Sequence, residues 1–280
     1  MALLVFASLV SAEKVDSPWS KQTTPAPGDA RSIGDYSAGC LQGAVKLPLH
    51  GDGYEVMHPS RLRYFGNPAL IDFLKTLGKA VKKHGLDSLL IGDLSQPRGG
   101  RAPGGHASHQ TGLDVDLWYV HPAGLHEPLQ RSEREAQKAQ TVLDADAHGV
   151  QKAEAARVAA LLQLTAADAR VERIFVHPLI KKELCEAASK QSESERAWLG
   201  KLRPWYGHDD HFHVRLACPK DSPDCTSQEA RPAGDGCSEL DYWLSDEKRA
   251  ERERGQREYQ SKVVTPRAVP VQCAEVLIAK

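Results

Sequence analysis

The sequence predicts an α+β fold, a single domain with a central, mostly antiparallel sheet, long loops and disulfides. Three observations lead to this prediction. The chain has 280 residues, of which 41% are hydrophobic and 26% charged, an ordinary globular composition for one or two domains. Helical and strand-like patterns alternate irregularly and without an internal repeat, which does not fit a doubly wound parallel sheet. The six cysteines are an even number, as in proteins whose loops are held by disulfides.

The clearest single element is a helix that begins near residue 68. Asn67 can cap it, and Pro68 suits its first position. Apolar residues then recur at helical spacing up to Val81, and Gly85 follows as a stop signal. Upstream of the helix, residues 13–32 are a polar lead-in, and residues 33–66 are predicted to form short strands broken by turns.

Downstream of this helix, apolar runs predict strands and Ala/Leu-rich or amphipathic stretches predict helices. The predicted strands are residues 88–93, 113–120, 171–176 and 211–216. The predicted helices are residues 153–164, 178–188, 194–202 and a highly charged, solvated helix within 239–259. The remainder is predicted to be a Gly/Pro/Arg-rich loop at 95–105, a long polar excursion over the surface at 121–150, and an irregular tail at 263–280.

Charge and hydropathy argue against two classes of protein. Lysine and arginine number 36, and aspartate and glutamate number 37. The net charge is therefore −1, whereas a nucleic-acid-binding protein normally has a basic excess. No run of about 18 apolar residues occurs, so we expect no transmembrane helix.

The N-terminus has the pattern of a secretory signal peptide. Residues 2–12 are apolar and end in small residues, with Val10-Ser11-Ala12 as the expected processing site. We expect residues 1–12 to be the signal peptide and 13–280 to be the mature domain. A basic n-region is missing, so a buried first strand is the alternative. The six cysteines favour an oxidising compartment over six buried thiols in the cytosol, and they allow fifteen pairings.

Two short segments concentrate histidine and aspartate. In the first, a glycine-rich loop leads to His109 and to a strand that carries Asp114 and Asp116. Residues two apart on a strand face the same way, and buried carboxylates are costly unless they are paired or bound to metal. In the second segment, His211 and His213 share one strand face, with Cα atoms about 7 Å apart. The opposite face would carry apolar residues of the core.

Two imidazoles and one carboxylate, with a fourth position left to water, are the ligand set of a catalytic zinc ion. Such an ion lowers the pKa of its water to about 7 and so provides hydroxide at neutral pH. The alternative is that the histidines are surface or hydrogen-bonded core residues. That alternative suits one isolated histidine better than five in two short segments, namely His106, His109, His208, His211 and His213.

Both segments resemble known zinc peptidases. The pattern His109-x-x-Gly112-x-Asp114-x-Asp116, with a later His211-x-His213, resembles the zinc signature of lysostaphin-type peptidases, D-Ala-D-Ala metallopeptidases and the hedgehog fold. The closest resemblance is to the penicillin-insensitive murein endopeptidase family, and it extends over residues 18–273. It rests on GGHASHQTGLDVD at 104–116, RIFV at 173–176, RPW at 203–205 and HFHVR at 211–215.

The resemblance implies a role for each matched residue. His109, Asp116 and His213 would hold one catalytic Zn²⁺, and His211 would be the catalytic base beside it. Members of the family cleave the D-alanyl–meso-diaminopimelyl cross-link of peptidoglycan in the periplasm. They are not serine enzymes and are therefore indifferent to β-lactams, and this sequence has no Gly-x-Ser-x-Gly motif of a serine hydrolase.

The resemblance also implies three disulfides and a second metal ion. The disulfides would be Cys40–Cys273, Cys185–Cys237 and Cys218–Cys225. The second metal would lie at a homodimer contact, where His106 and His148 match two of its ligands. The third ligand of the family is an aspartate, and Ala145 stands at the corresponding position here.

Other polar residues near the two segments have more than one interpretation. We expect Asp114 to orient a ligand histidine or a loop, as carboxylates beside metal sites commonly do. His208 and Arg101 are candidates for the substrate cleft. Arg101, like Arg98, could meet a peptide carboxylate through bidentate hydrogen bonds. A solvated surface position is the alternative for His208 and for both arginines.

Two other functions remain open. A zinc D,D-carboxypeptidase would use the same chemistry on a terminal D-alanine, but it would need a closed pocket with a cation for the carboxylate. A non-catalytic wall-binding module would use zinc structurally, within a closed shell of four ligands. The presence of His211 beside His213 argues against that second alternative.

Overall fold

The computed structural model of the protein describes residues 17–103, 107–146, 148–261 and 267–280. The strands of these ranges, in chain order, are β1 (Arg31–Asp35), β2 (Ala38–Gln42), β3 (Val45–Lys46), β4 (His50–Gly51), β5 (Tyr54–Val56), β6 (Phe65–Gly66), β7 (Leu89–Ile91), β8 (Asp114–Trp118), β9 (Val171–Val176), β10 (Leu202–Pro204) and β11 (His211–Leu216). The helices are α1 (Pro68–Lys83), α2 (Arg131–Ala136), α3 (Ala155–Ala167), α4 (Pro178–Ala187), α5 (Glu193–Arg196), α6 (Leu240–Trp243), α7 (Asp246–Ser261) and α8 (Gln272–Ile278).

Most of the strands in the described part of the chain form one seven-stranded sheet, in the order β10-β9-β11-β8-β7-β5-β4. The pairs β10–β9 and β7–β5 are parallel, and the other neighbours in this sheet run antiparallel. Two small antiparallel pairs, β1–β2 and β3–β6, lie outside it. The prediction of an α+β fold with a mostly antiparallel central sheet is therefore confirmed.

The alternation of side chains along β11 divides the sheet into a core face and a polar face. Phe212, Val214 and Leu216 are fully buried among apolar side chains of α1, α3 and the neighbouring strands, as the sequence predicts. His213 and Arg215 point to the opposite face because successive side chains of a strand alternate. The site described below is built on that opposite face.

Helix α1 begins where the sequence predicts. The Asn67 side chain accepts a hydrogen bond from the backbone N of Ala69 at 3.0 Å, and Pro68 is the first helical residue. The buried residues of α1 include Leu70, Leu74 and Val81, which lie on the predicted apolar face. The cap and the apolar face together fix the helix against the sheet.

Two predictions of local structure were wrong or incomplete, and one strand was not predicted. The C-terminal tail is not irregular throughout, because α8 forms there and buries Cys273 and Val276. Residues 194–202 are not one helix but the short α5, a 3₁₀ helix at Ala197–Lys201 and the start of β10. The unpredicted strand is β10, which pairs with β9 at the edge of the sheet. Its three residues include a proline, so the sequence gives no strong strand signal there.

Three disulfides cross-link the described chain, and their pairing is the one implied by the resemblance. Cys218–Cys225 closes the turn that follows β11. Cys185–Cys237 joins α4 to the segment before α6. Cys40–Cys273 joins β2 to α8 across a sequence separation of 233 residues. Within the described ranges, no helix is both long and apolar enough to cross a membrane.

Candidate metal centre

Asp116 and His213 lie opposite each other on neighbouring strands. The register of the antiparallel pair β8–β11 aligns these two residues. Both side chains are buried, and His213 Nδ1 lies 3.1 Å from Asp116 Oδ1. Two residues almost a hundred positions apart in the chain thus meet through one strand pairing.

His109 joins this pair from the end of the glycine-rich loop. Its backbone has a φ of +66°, the left-handed region that is uncommon for residues other than glycine. The backbone N of His109 donates to Asp114 Oδ2 at 3.1 Å, which helps to hold this conformation. As a result His109 Nε2 lies 3.3 Å from Asp116 Oδ1. Left-handed non-glycine residues cluster at functional sites, where the surrounding structure maintains the strain.

The glycine three residues after His109 is required by its surroundings. Gly112 has a φ of +74°, and a Cβ atom there would lie 2.4 Å from the Leu41 side chain and 2.9 Å from the backbone N of Asn67. A larger residue would push the loop away from β2 and from the start of α1. Gly112 therefore allows His109 to approach β8 closely.

The geometry of His109, Asp116 and His213 fits a metal ion. One potential ligand atom from each residue lies within 4.8 Å of the other two, and all three residues are buried. A tetrahedral zinc ion with ligands at about 2.0–2.1 Å holds its ligand atoms about 3.3 Å apart. The separations of 3.3 Å and 3.1 Å from Asp116 Oδ1 match that value. The two nitrogens and one oxygen are also ligand types that zinc accepts.

Asp114 orients the group from behind. Its buried carboxylate accepts from His213 Nε2 at 3.0 Å and from Arg215 Nε at 2.8 Å. Burial alone would raise the pKa of Asp114, but Arg215 and His213 hold it well below the usual range. With the proton of His213 on Nε2, the Nδ1 lone pair faces Asp116, as a metal ligand requires. This position agrees with the expectation for Asp114.

Arg215 is held in place by two aromatic rings. Its guanidinium lies 4.1 Å from the ring centre of Tyr36 and 5.3 Å from that of Phe175.

The pKa of Asp116, like that of Asp114, is lowered. Burial alone would raise it, but His109 and His211 keep it well below the usual range. Both carboxylates are therefore anionic at neutral pH.

His211 lies beside the group of three rather than within it. Its Nδ1 is hydrogen-bonded to Asp210 Oδ1, and its Nε2 lies 3.9 Å from Asp116 Oδ1. Burial lowers the pKa of His211, yet the carboxylates of Asp116 and Asp210 outweigh that effect and raise it to about 9. His211 is thus turned with one nitrogen toward the three buried residues and the other toward Asp210.

His208 belongs to the same cluster of rings. Its ring centre lies 5.0 Å from that of His211 and 6.2 Å from that of His213. Its Nδ1 lies 3.2 Å from the carbonyl oxygen of Trp205. Burial, followed by the neighbouring His213 and His211, lowers the pKa of His208 to about 3. The half-buried His208 is therefore neutral and next to the site, not on a distant surface.

Comparison with known proteins is consistent with this geometry. The sequence model of the penicillin-insensitive murein endopeptidase family matches residues 32–278. The chain belongs to this family. A penicillin-insensitive murein endopeptidase of Yersinia enterocolitica is 43% identical over 249 residues, which cover 87% of this chain and 86% of the relative. The protein of the same name from Salmonella heidelberg is 44% identical over 235 residues, covering 84% of each chain. The one from Klebsiella pneumoniae is 43% identical over 245 residues, covering 87% and 86%.

A cleft of about 660 Å³ adjoins the candidate metal centre of this murein endopeptidase family member. The sheet and the turn before β11 contribute Gly92, Asp93, Asp116, Trp118, Asp210 and His211 to its lining. The rest of the lining, which we call the cleft wall, comes from two segments distant in sequence. The cleft wall consists of His58, Arg61, Glu135, Gln137, Lys138 and Ala139.

Not all the residues singled out in the sequence meet at this site. Arg101 is half-buried, its carbonyl accepts from Ser17 Oγ at 2.6 Å, and it is not among the described residues that line the cleft. Arg98 was wrongly interpreted. It is neither solvated nor a substrate ligand, because it is buried and donates to the carbonyls of Thr24, Val276 and Leu277.

The two histidines matched to a second metal in the family do not form a site that the structure describes. His106 lies outside the described residues. His148 is exposed, and its backbone N donates to Asp144 Oδ1 at 2.8 Å. In the described ranges, the close group of potential metal ligands is His109, Asp116 and His213. A second metal and a homodimer stay predictions.

Sequence reasoning missed the cleft wall, Arg215 and Asp210. Arg215 lies two residues after His213 on the same strand, so the period of the strand could have placed it beside Asp114. Asp210 directly precedes His211, but adjacency alone gave it no predicted role. Arg61 and Lys138 carried no signal, because only the tertiary fold brings them to the cleft.

Proposed function

We propose that this chain is a periplasmic zinc metallopeptidase that hydrolyses the D-alanyl–meso-diaminopimelyl cross-link of peptidoglycan. The observation that carries the proposal is the convergence of His109, Asp116 and His213, with His211 beside them at a cleft. The names of the relatives, all penicillin-insensitive murein endopeptidases, support the same substrate. The three disulfides support an oxidising compartment.

His109 Nε2, a carboxylate oxygen of Asp116 and His213 Nδ1 would hold the zinc ion. When bound, the ion would supply a Lewis acid for the scissile carbonyl and would acidify a water molecule. Asp114 keeps His213 in the tautomer that offers Nδ1 as a ligand, and Arg215 keeps Asp114 ionised. The left-handed backbone of His109 completes the set of ligands from the loop side.

His211 would move the protons of the reaction. Asp210 holds its Nδ1, which turns Nε2 toward the site. The Asp116 carboxylate raises the pKa of His211, and a cation held by Asp116 would oppose that effect. A neutral His211 would then take a proton from the attacking water and return one to the leaving amine. The water oxygen adds to the D-alanyl carbonyl carbon, the C–N bond breaks, and diaminopimelate leaves as a protonated amine. A positioned general acid–base group typically contributes about 10²–10⁴ in rate.

Two alternatives make different demands on the site. A D,D-carboxypeptidase would need a closed pocket, whereas Lys138 of the cleft wall is exposed and the Arg61 side chain is 47% exposed. An open cleft supports an endopeptidase, because cross-linked peptide must extend past the scissile bond on both sides. A structural zinc site needs only its four ligands. It would not require an additional histidine beside them, whereas His211 lies there and is oriented by Asp210.

The deciding experiment is digestion of purified cross-linked muropeptides with and without a chelator, followed by mass spectrometry. We expect the dimer to be converted to monomers with free diaminopimelyl amines, and we expect the chelator to abolish this conversion. Added zinc should restore it. Release of D-alanine from a pentapeptide with the dimer left intact would favour the carboxypeptidase. Binding of the dimer and of the pentapeptide without cleavage of either would favour the wall-binding module.

A further inference from the structure

The positive charge of Arg61, a residue of the cleft wall, is only partly neutralised by its neighbours. Arg61 lines the cleft with Asp116 and His211, and its side chain is 47% exposed. Its Nη1 lies 3.4 Å from Asp93 Oδ1, a long contact for a charged pair. The other oxygen of Asp93 accepts from Arg63 Nη1 at 2.6 Å. Asp93 is therefore shared between two arginines and neutralises only one of them.

The other charges of the wall do not compensate Arg61. Glu135 accepts from the backbone N of Ser60 at 2.7 Å and from its Oγ at 2.8 Å, and these bonds outweigh its burial and lower its pKa, so it is the one anion of the wall. Lys138 adds a second exposed cation to the same lining. The wall thus presents an excess of positive charge to the cleft, while Asp116 and Asp210 at the site are engaged with histidines.

The backbone that carries Arg61 is held in an uncommon conformation. His58 and Leu62 flank the 3₁₀ helix Pro59–Arg61, and both are in the left-handed region, with φ of 50° and 53°. The contacts of Ser60 with Glu135 and a hydrogen bond from His58 N to the Arg134 carbonyl maintain this shape. Maintained strain of this kind is typical of ligand-binding segments.

The position of Asp93 relates Arg61 to the metal centre. The backbone N of Asp116 donates to the carbonyl of Asp93 at 3.0 Å, and Gly92 N donates to the carbonyl of Asp116 at 2.8 Å. Asp93 is therefore the direct neighbour of a metal-ligand residue. Arg61 thus contacts the neighbour of Asp116 and lines the same cleft as Asp116 and His211.

We infer that Arg61 binds the carboxylate that stands next to the scissile amide nitrogen of the substrate. The inference rests on the proposed function. In a D-alanyl–meso-diaminopimelyl cross-link, the carbon that bears the amide nitrogen also bears a free carboxylate. A guanidinium in an open cleft can bind this group through two parallel hydrogen bonds, and it need not close over the peptide. Arg61 would select cross-links by this carboxylate, with Lys138 adding charge at longer range.

The test compares two cross-linked muropeptide dimers that differ in one group. In one dimer the diaminopimelyl carboxylate beside the scissile amide is free, and in the other it is amidated. The unaltered protein should cleave the free acid with a kcat/KM about 10- to 100-fold above that of the amide, the worth of a hydrogen bond to a charged group. In Arg61→Ala the ratio should fall to near 1, because only the free acid loses rate. Arg61→Lys should retain part of the preference.

Arg249→Ala is the matched control, because Arg249 is also an exposed arginine, 3.3 Å from an aspartate, but it lies on α7 and does not line the cleft. It should keep the full preference. Equal losses for both dimers in Arg61→Ala would mean that Arg61 only supports the wall, and the inference would be wrong. A preference in the unaltered protein that Arg61→Ala retains would also overturn it.

A binding measurement separates this inference from the proposed function. Affinities for the two dimers are measured with His211→Ala, or with the unaltered protein if that protein cleaves neither dimer. Tighter binding of the free acid that disappears with Arg61→Ala supports the carboxylate contact even where no cleavage occurs. Cleavage of both dimers with equal kcat/KM, or equal affinities where neither is cleaved, would reject the contact.

Discussion

Glu55 of β5 and Arg134 of α2 form a buried ion pair, with side-chain exposures of 2% and 3%. Arg134 also donates to the carbonyls of Leu49, Val56 and Leu129. Burial raises the pKa of Glu55 in spite of the adjacent guanidinium. The ion pair anchors the segment at 121–150, which was predicted only as a surface excursion. This segment contributes Glu135, Gln137, Lys138 and Ala139 to the cleft wall.

Replacing Arg134 by methionine should lower the free energy of unfolding by about 3–5 kcal/mol, because it leaves a buried carboxylate without its counter-charge. The double variant Glu55→Met/Arg134→Met should recover part of the loss but not all of it, since three backbone carbonyls still lack their donor. Urea unfolding at neutral pH measures both values. Arg131→Met, an exposed residue of the same helix, is the control and should change little. A loss below about 1 kcal/mol for Arg134→Met would contradict this account.

Asp114→Asn should weaken zinc binding by about 10- to 100-fold, the usual effect of removing a carboxylate that orients a ligand histidine. The asparagine keeps the volume but offers one acceptor where Asp114 serves His213, Arg215 and the backbone of His109. Competition with a chromogenic chelator gives the affinity. Asp168→Asn removes a carboxylate that pairs with Arg170 away from the site and should leave the affinity unchanged. Unaltered affinity in Asp114→Asn would mean that His213 is oriented by other contacts.

His211→Ala and His213→Ala should differ in metal content. His211→Ala should keep its zinc and its fold but lose about 10²–10⁴ in turnover of the cross-linked dimer. His213→Ala should lose both zinc and activity, because two protein ligands remain. Metal analysis and muropeptide turnover on the same preparations give the comparison. Loss of zinc from His211→Ala with retention in His213→Ala would reverse the two roles.

Lys181 should give the folded state a specific dependence on pH. Its side chain is fully buried in α4 and donates to the carbonyl of Leu202 at 2.8 Å. Burial, followed by the nearby Arg203, lowers its pKa from 10.5 to about 8. Between these two values only the unfolded chain keeps the proton, so rising pH favours the folded state. Below about pH 8 both states are protonated and the group adds no pH dependence.

The unaltered protein should therefore gain stability relative to Lys181→Met as the pH rises from 7.5 to 10, by at most about 3 kcal/mol. Chemical denaturation at the two pH values measures this difference. Lys182→Met, which removes an exposed neighbour paired with Glu186, should show no such relative change. A constant difference between the unaltered protein and Lys181→Met would mean that Lys181 keeps an ordinary pKa.

Export should be visible in the intact mass of the protein. We expect protein isolated from the periplasm to lack the apolar N-terminal segment and to weigh six hydrogens less than its reduced form, because all six cysteines are paired. Mass spectrometry before and after reduction checks both changes. Six thiols that react with an alkylating agent under non-reducing conditions would contradict the prediction.

The sequence was sufficient to predict the two strands and the polar segments that meet in the candidate metal centre, because that information is local. Spacing and the two-residue period of a strand single out these segments, and the family resemblance selects His109, Asp116 and His213 within them as the expected ligands. The cleft wall was not predictable in this way. Arg61 and Lys138 are far apart in the chain, and neither belongs to a motif. Arg98 shows the opposite failure, since a glycine-rich context suggested a ligand while its actual partners are carbonyls brought in from α8 and from Thr24.

The bond between Cys40 and Cys273 sets an order of events during biogenesis. A chain made from its N-terminus presents Cys40 long before Cys273, which follows it by 233 residues. The bond can close only after the whole segment between the two cysteines has been made. A chain that terminates early would lack α8 and the carbonyls that Arg98 needs, and it would carry an unpaired thiol.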